Sequence, residues 1–215
     1  MSVAVLFAIV GIANLSVKIG LLLQGSSELI HSCTGGLLDA NWAIAIITVL
    51  FVVYGTAGGL GAAIITDFFQ GILTVVFSFL LLPFVLNAVG GLDGIRETVQ
   101  NPQMLSLVSP GKIGKFFIVM YSLQALVGIV AQPFIMGVCA AGRTEMDGRV
   151  GFMVGNIVKR ICTMAWSITA LAAVAWYLNR GVELGSVKAD HVYGEVAREF
   201  LPAVLPGLLG LFIAS

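Results

Sequence analysis

The 215 residues are 59% hydrophobic and only 10% charged, with a mean hydropathy of +1.03, whereas soluble domains carry about 25% charged residues. That composition excludes a disordered chain, a secreted disulfide scaffold and an ordinary soluble enzyme. Eleven Lys and Arg balance eleven Asp and Glu, so the balance offers no basic face for nucleic acid, and the partner implied is the lipid bilayer.

Taken in chain order, apolar runs long enough to cross a bilayer are predicted at 3–23, 42–65, 68–89, 116–141 and 158–178, with a shorter run at 200–215. The expected fold class is therefore an all-α, multi-pass integral membrane protein with five full transmembrane helices and a truncated sixth. The first run starts almost at Met1 with neither a basic leader nor a small-residue cleavage pattern, which argues against a signal peptide. The last stops at Ser215, short of a comfortable crossing, so both ends read as cut from something longer. Only Thr66 and Asp67 separate the second and third runs, which predicts a tight antiparallel hairpin. Residues 90–115, containing GGLDGIRETVQNP, and residues 179–199, containing ADHVYGEVARE, are predicted to lie at the membrane interface. Arg143, Arg149, Lys159 and Arg160 concentrate positive charge around the connection between 141 and 158, which favours a cytoplasmic position for it.

Polar groups inside a bilayer are costly unless satisfied, so each is a candidate for function. Lys18 is an intramembrane charge, read either as a snorkelling side chain or as half of a buried pair. Asp67, beside Thr66, either caps the helix that follows or supplies oxygen at the mouth of a cation path. In 116–141 the candidates are Tyr121, Ser122, Gln124 and Gln132, with Gly128 and Pro133 able to break the helix and free backbone groups for a wet cavity; the alternative is a Pro-kinked packing helix whose Gln side chains bond to neighbouring helices. Lys159 and Thr163 share one helix face with Ser167, although Thr and Ser also bond to their own helix. The glycines of YGTAGGLGAA lack the strand and the Lys-Ser/Thr of a phosphate loop; Gly55, Gly59 and Ala63 instead make a small-residue packing face. Cys33, Cys139 and Cys162, with His31 and His191 as the two histidines, form no cage for a metal, and no catalytic pair is evident.

The stretch from Tyr54 to Gln70 resembles the signature of the sodium:solute symporter family: Tyr54, Gly58, Gly59, Leu60, Ala62, Thr66, Asp67 and Gln70 all fit. The GGLDGI after the third run, the QPFI-x-GVCAA segment and the closing FLP-x-x-LPGLLGL resemble family segments in the same order. Gly55, where a small Ser, Thr, Ala or Val is usual, and Gly137, where many members have Arg, depart from the pattern. The resemblance implies a leucine-transporter-type inverted repeat in which this chain matches core helices three to eight, with a sodium gradient driving uptake of a small-molecule solute. It further implies Na+ as coupling ion, with its main site outside this chain and the remainder of the symporter chain as partner. By the same resemblance Asp67 matches an aspartate associated with sodium passage to the cytoplasm, and Lys159 falls within one residue of a lysine that contacts sugar in some members. The location implied is the plasma membrane, the inner membrane in a bacterium. The alternative is a symporter-like sensory membrane domain of a signalling protein; an enzyme is not expected.

Overall fold

The computed structural model describes residues 2–100, 106, 108, 113–130 and 132–214. Their elements are helices: α1 (Ser2–Cys33), α2 (Ala40–Val89), α3 (Gly91–Thr98), α4 (Lys115–Val130), α5 (Pro133–Ala140), α6 (Glu145–Asn179), α7 (Val192–Val204) and α8 (Leu208–Ala214), with 3₁₀ turns at Leu184–Ser186 and Ala189–His191 before α7. Among the described residues three helices, α1, α2 and α6, are long and apolar enough to cross a membrane.

Local chemistry sets the helix ends. Asp39 caps α2 by accepting from the Asn41 N–H at 2.9 Å, and Gly90 ends it in the left-handed region at φ 82°. Thr144 and Asp147 form a reciprocal box at the start of α6: the Asp147 carboxylate accepts from the Thr144 N–H at 3.0 Å, and the Asp147 N–H donates to the Thr144 hydroxyl at 3.2 Å. Gly35 and Gly36, both at positive φ, terminate the chain leaving α1, with the Gly36 N–H donating to the His31 carbonyl.

The structure corrects several boundaries. α1 continues past residue 23 to Cys33, because Ser27 and Ser32 donate to the Gln24 and Leu29 carbonyls and so let polar residues remain helical. The expected hairpin at Thr66 and Asp67 is absent: both lie within α2, and the Thr66 hydroxyl donates back to the Ala62 and Ala63 carbonyls. The interruption of α2 falls instead at Gly59, whose φ of 59° and ψ of −158° belong to a region essentially reserved for glycine. That position also removes Gly59 from the predicted packing face, and a Cβ at Gly55 or Gly59 would meet nothing within 4 Å. Predicted run 116–141 divides into α4 and α5 around Gln132 and Pro133, where a break was expected; Ala131 lies outside the described residues. α6 begins at Glu145 rather than 158, since its cap is set at Thr144, well before the apolar run. Run 200–215 is divided between α7, extending back to Val192, and α8, with Leu205 extended and Gly207 at φ 92° between them.

The chain forms two units: Met1–Leu15 with Val99–Ile161, and Ser16–Thr98 with Cys162–Ser215. The core of the second is built on Phe77, Leu81, Val85 and Val89, a four-residue spacing that gives α2 one buried stripe. Ala172, Ala173 and Tyr177 of α6, Val196, Ala197 and Leu201 of α7, and Phe212 of α8 are buried in the same unit. Phe77 and Phe212 meet edge to face at 5.5 Å. Buried Ser78 and Thr169 donate to the Thr74 and Ala165 carbonyls, so these hydroxyls enter the interior satisfied. In the first unit α4 leaves Phe116, Phe117, Leu126 and Val127 exposed, the surface expected of a helix whose solvent is lipid.

Candidate functional site

Asp67 projects from α2 exposed, eight residues after the Gly59 kink, beside half-buried Thr66. Its position inside a helix removes the capping role considered for it and leaves an exposed carboxylate one turn from exposed Gln70. Around it the signature residues are helical: Tyr54 packs edge to face with Phe51 at 5.3 Å, and the Gln70 carbonyl accepts from the Thr74 hydroxyl at 2.8 Å.

Tyr121, Ser122 and Gln124 are exposed on α4. Tyr121 stacks on Phe117 at 5.9 Å with an interplanar angle of 12°, and the Ser122 hydroxyl donates to the Ile118 carbonyl at 2.7 Å. Gln132, half-buried, starts α5 with extended backbone, and its carbonyl accepts from the Met136 N–H. α4 thus ends at Val130 and α5 starts at Pro133, so the apolar run is carried by two helices. On α6, Lys159 and Thr163 are exposed, and the Thr163 carbonyl accepts from Ser167 at 2.8 Å. Lys18 is half-buried midway along α1. Tyr121, Ser122, Gln124, Gln132 and Lys159 belong to the first unit, and Lys18, Thr66, Asp67 and Thr163 to the second. A concavity of about 510 Å³ at the α5–α6 turn, lined by Cys139, Arg143, Thr144, Arg149 and Phe152 among others, contains none of these residues.

Among the described residues, a further polar constellation was not evident from the sequence. α7 is fastened to the end of α1 by His191 against Glu28 and by the Cys33 thiol, which donates to the Gly194 carbonyl at 3.7 Å. It is fastened to the end of α6 by Tyr177, whose hydroxyl donates to the Glu195 carboxylate, and by an Arg180–Glu199 ion pair at 2.7 Å. The Arg180 guanidinium also lies 3.9 Å from the Trp176 ring centre. The end of α3 joins the same region through the Thr98 hydroxyl, which donates to the Asn179 side-chain oxygen at 3.2 Å. Burial beside Phe212 pushes the Tyr193 hydroxyl up to about 12, keeping it neutral. The charges in ADHVYGEVARE were visible in sequence, but partners more than 160 residues away were not.

The family model described as the sodium:solute symporter family matches residues 2–215. The sodium/pantothenate symporter of Haemophilus influenzae is 23% identical over 194 residues, which cover 89% of this chain and 38% of that protein. The Escherichia coli sodium/pantothenate symporter is 23% identical over 145 residues, 64% of this chain and 29% of that protein. Sodium/myo-inositol cotransporter 2 of Mus musculus is 35% identical over 60 residues, 28% of this chain and 9% of that protein. The chain thus spans well under half the length of these relatives. No solved structure matches.

Proposed function

The chain belongs to the sodium:solute symporter family, and on that premise we propose that it forms part of a multi-pass transporter that couples inward sodium flow to uptake of a small-molecule solute. The observation that carries the reading is the family match along residues 2–215, with relatives named as sodium-coupled transporters and not as enzymes. The membrane is the plasma membrane, the inner membrane in a bacterium, and the α5–α6 turn faces the cytoplasm. α2 supports two crossings: fifty helical residues extend about 75 Å at 1.5 Å each, more than twice the hydrocarbon thickness, and Gly59 divides them.

Apart from Lys18, each candidate residue has a role in this reading. Asp67, with Thr66 beside it, supplies oxygen to a hydrated Na+ on its way to the cytoplasm, where a carboxylate lowers the cost of moving a cation past an apolar surface. The α4–α5 break supplies backbone carbonyls and amides to the solute path, flanked by Tyr121, Ser122, Gln124 and Gln132, while Lys159 and Thr163 contribute from α6. The main sodium site lies outside residues 1–215. Pantothenate and myo-inositol, the solutes in the relatives' names, head the panel of candidates. The test is Asp67→Ala in the full-length protein, assayed for uptake against sodium concentration. Membrane insertion should persist while half-maximal activation moves to at least several-fold higher sodium; an unchanged activation curve would remove Asp67 from the cation path.

A further inference from the structure

Glu28 lies near the end of α1, and His191 closes the 3₁₀ turn from which α7 starts. Separated by 163 positions, they meet with His191 Nε2 2.6 Å from Glu28 Oε2. Their side chains retain 15% and 26% exposure, enough for protons to reach the pair while much of the surrounding water is excluded. His31 also faces His191 from α1, with ring centres 5.6 Å apart, and is oriented by its Nδ1 lying 2.9 Å from the Leu38 carbonyl. On the segment of His191 itself, Lys188 adds positive charge around Glu28, and Asp190 is the adjacent residue. One turn into α7, the Glu195 carboxylate is occupied by the Tyr177 hydroxyl of α6. Under the start of α7 lies Cys33, 2% exposed, its thiol on the Gly194 carbonyl.

We propose that His191 and Glu28 form a proton-operated latch that fastens the start of α7 to the end of α1. A neutral imidazole gives this carboxylate a hydrogen bond to one ionised partner; an imidazolium keeps that bond and adds a full opposite charge, making an ion pair. Protonation of the imidazole supplies that charge, so the latch tightens on acidification and loosens as the medium becomes alkaline. Loosening frees the start of α7, whose Gly194 carbonyl accepts from the Cys33 thiol, and this makes the native thiol a reporter of the latch. The device is a local equilibrium and stands independently of the transport reading.

The test is site-resolved alkylation of Cys33 by N-ethylmaleimide in permeabilised vesicles carrying the intact protein, at pH 6 and pH 8. Wild type is compared with His191→Gln, which keeps an N–H donor but cannot gain charge; thiol ionisation cancels in the ratio of the two proteins at one pH. At pH 8 the two should label at similar rates, and at pH 6 the wild type should label about three- to tenfold more slowly. Glu28→Gln, which keeps an acceptor without charge, should also lose the protection at pH 6. A wild-type to His191→Gln ratio that is the same at both pH values would overturn the proposal, as would full protection at pH 6 in Glu28→Gln.

Discussion

Gly59 and Gly194 lack a side chain for two different physical reasons. Gly59 occupies backbone angles that other residues reach only at a cost of about 1–3 kcal/mol. Gly194 has ordinary helical angles, but a Cβ there would collide with the Ser32 hydroxyl of α1. Gly59→Ala should therefore lower the thermal midpoint of the detergent-solubilised protein, whereas Gly55→Ala, in open space within the same helix, should leave it unchanged or slightly raised. Equal midpoints for the two variants would contradict the strain assigned to Gly59. Gly194→Ala should destabilise by about 1–3 kcal/mol, because the α1–α7 contact has no slack for one methyl group; heat-induced loss of the folded fraction in detergent measures it. These two sites also mark the limit of single-residue reading. The glycines were visible in sequence, but the kink depends on which one adopts positive φ, and the collision depends on a helix more than 160 positions away.

At the scale of elements, hydrophobicity located the long helices but not their ends. Helix ends follow hydrogen bonds that hydropathy does not register: α1 runs past its apolar stretch on back-bonded serines, and α6 starts where Thr144 and Asp147 cap each other. Thr66 and Asp67 looked like a turn because two polar residues interrupt an apolar run, yet the Thr66 hydroxyl satisfies itself on its own helix, so the run stays helical. The Gln132–Pro133 break was legible because proline removes the N–H that an uninterrupted helix needs. Asp147→Ala should cost about 1 kcal/mol at the start of α6 and speed amide exchange over residues 144–149, with little effect beyond the following turn. Unchanged exchange there would show that the box does not hold the helix start.

For the whole molecule, family membership follows from a match along residues 2–215, and the multi-pass membrane character agrees with three long apolar helices among the described residues. The signature from Tyr54 to Gln70 made the family recognisable in sequence, because its glycines and polar residues stand at fixed offsets in an apolar background. The candidate solute residues were legible as polar exceptions in apolar helices, but polarity alone does not distinguish a transport path from a packed interface. The α7 constellation was not legible, since it joins the ends of α1 and α6 across long separations. The central claim is sodium coupling, and it is met most directly by loading the full-length protein into sealed vesicles and following the proposed solute panel under an inward sodium gradient. Accumulation of one solute above its external concentration, abolished by a sodium ionophore and absent when potassium replaces sodium, is the expected result. Accumulation of that solute to the same level under a potassium gradient would contradict the claim.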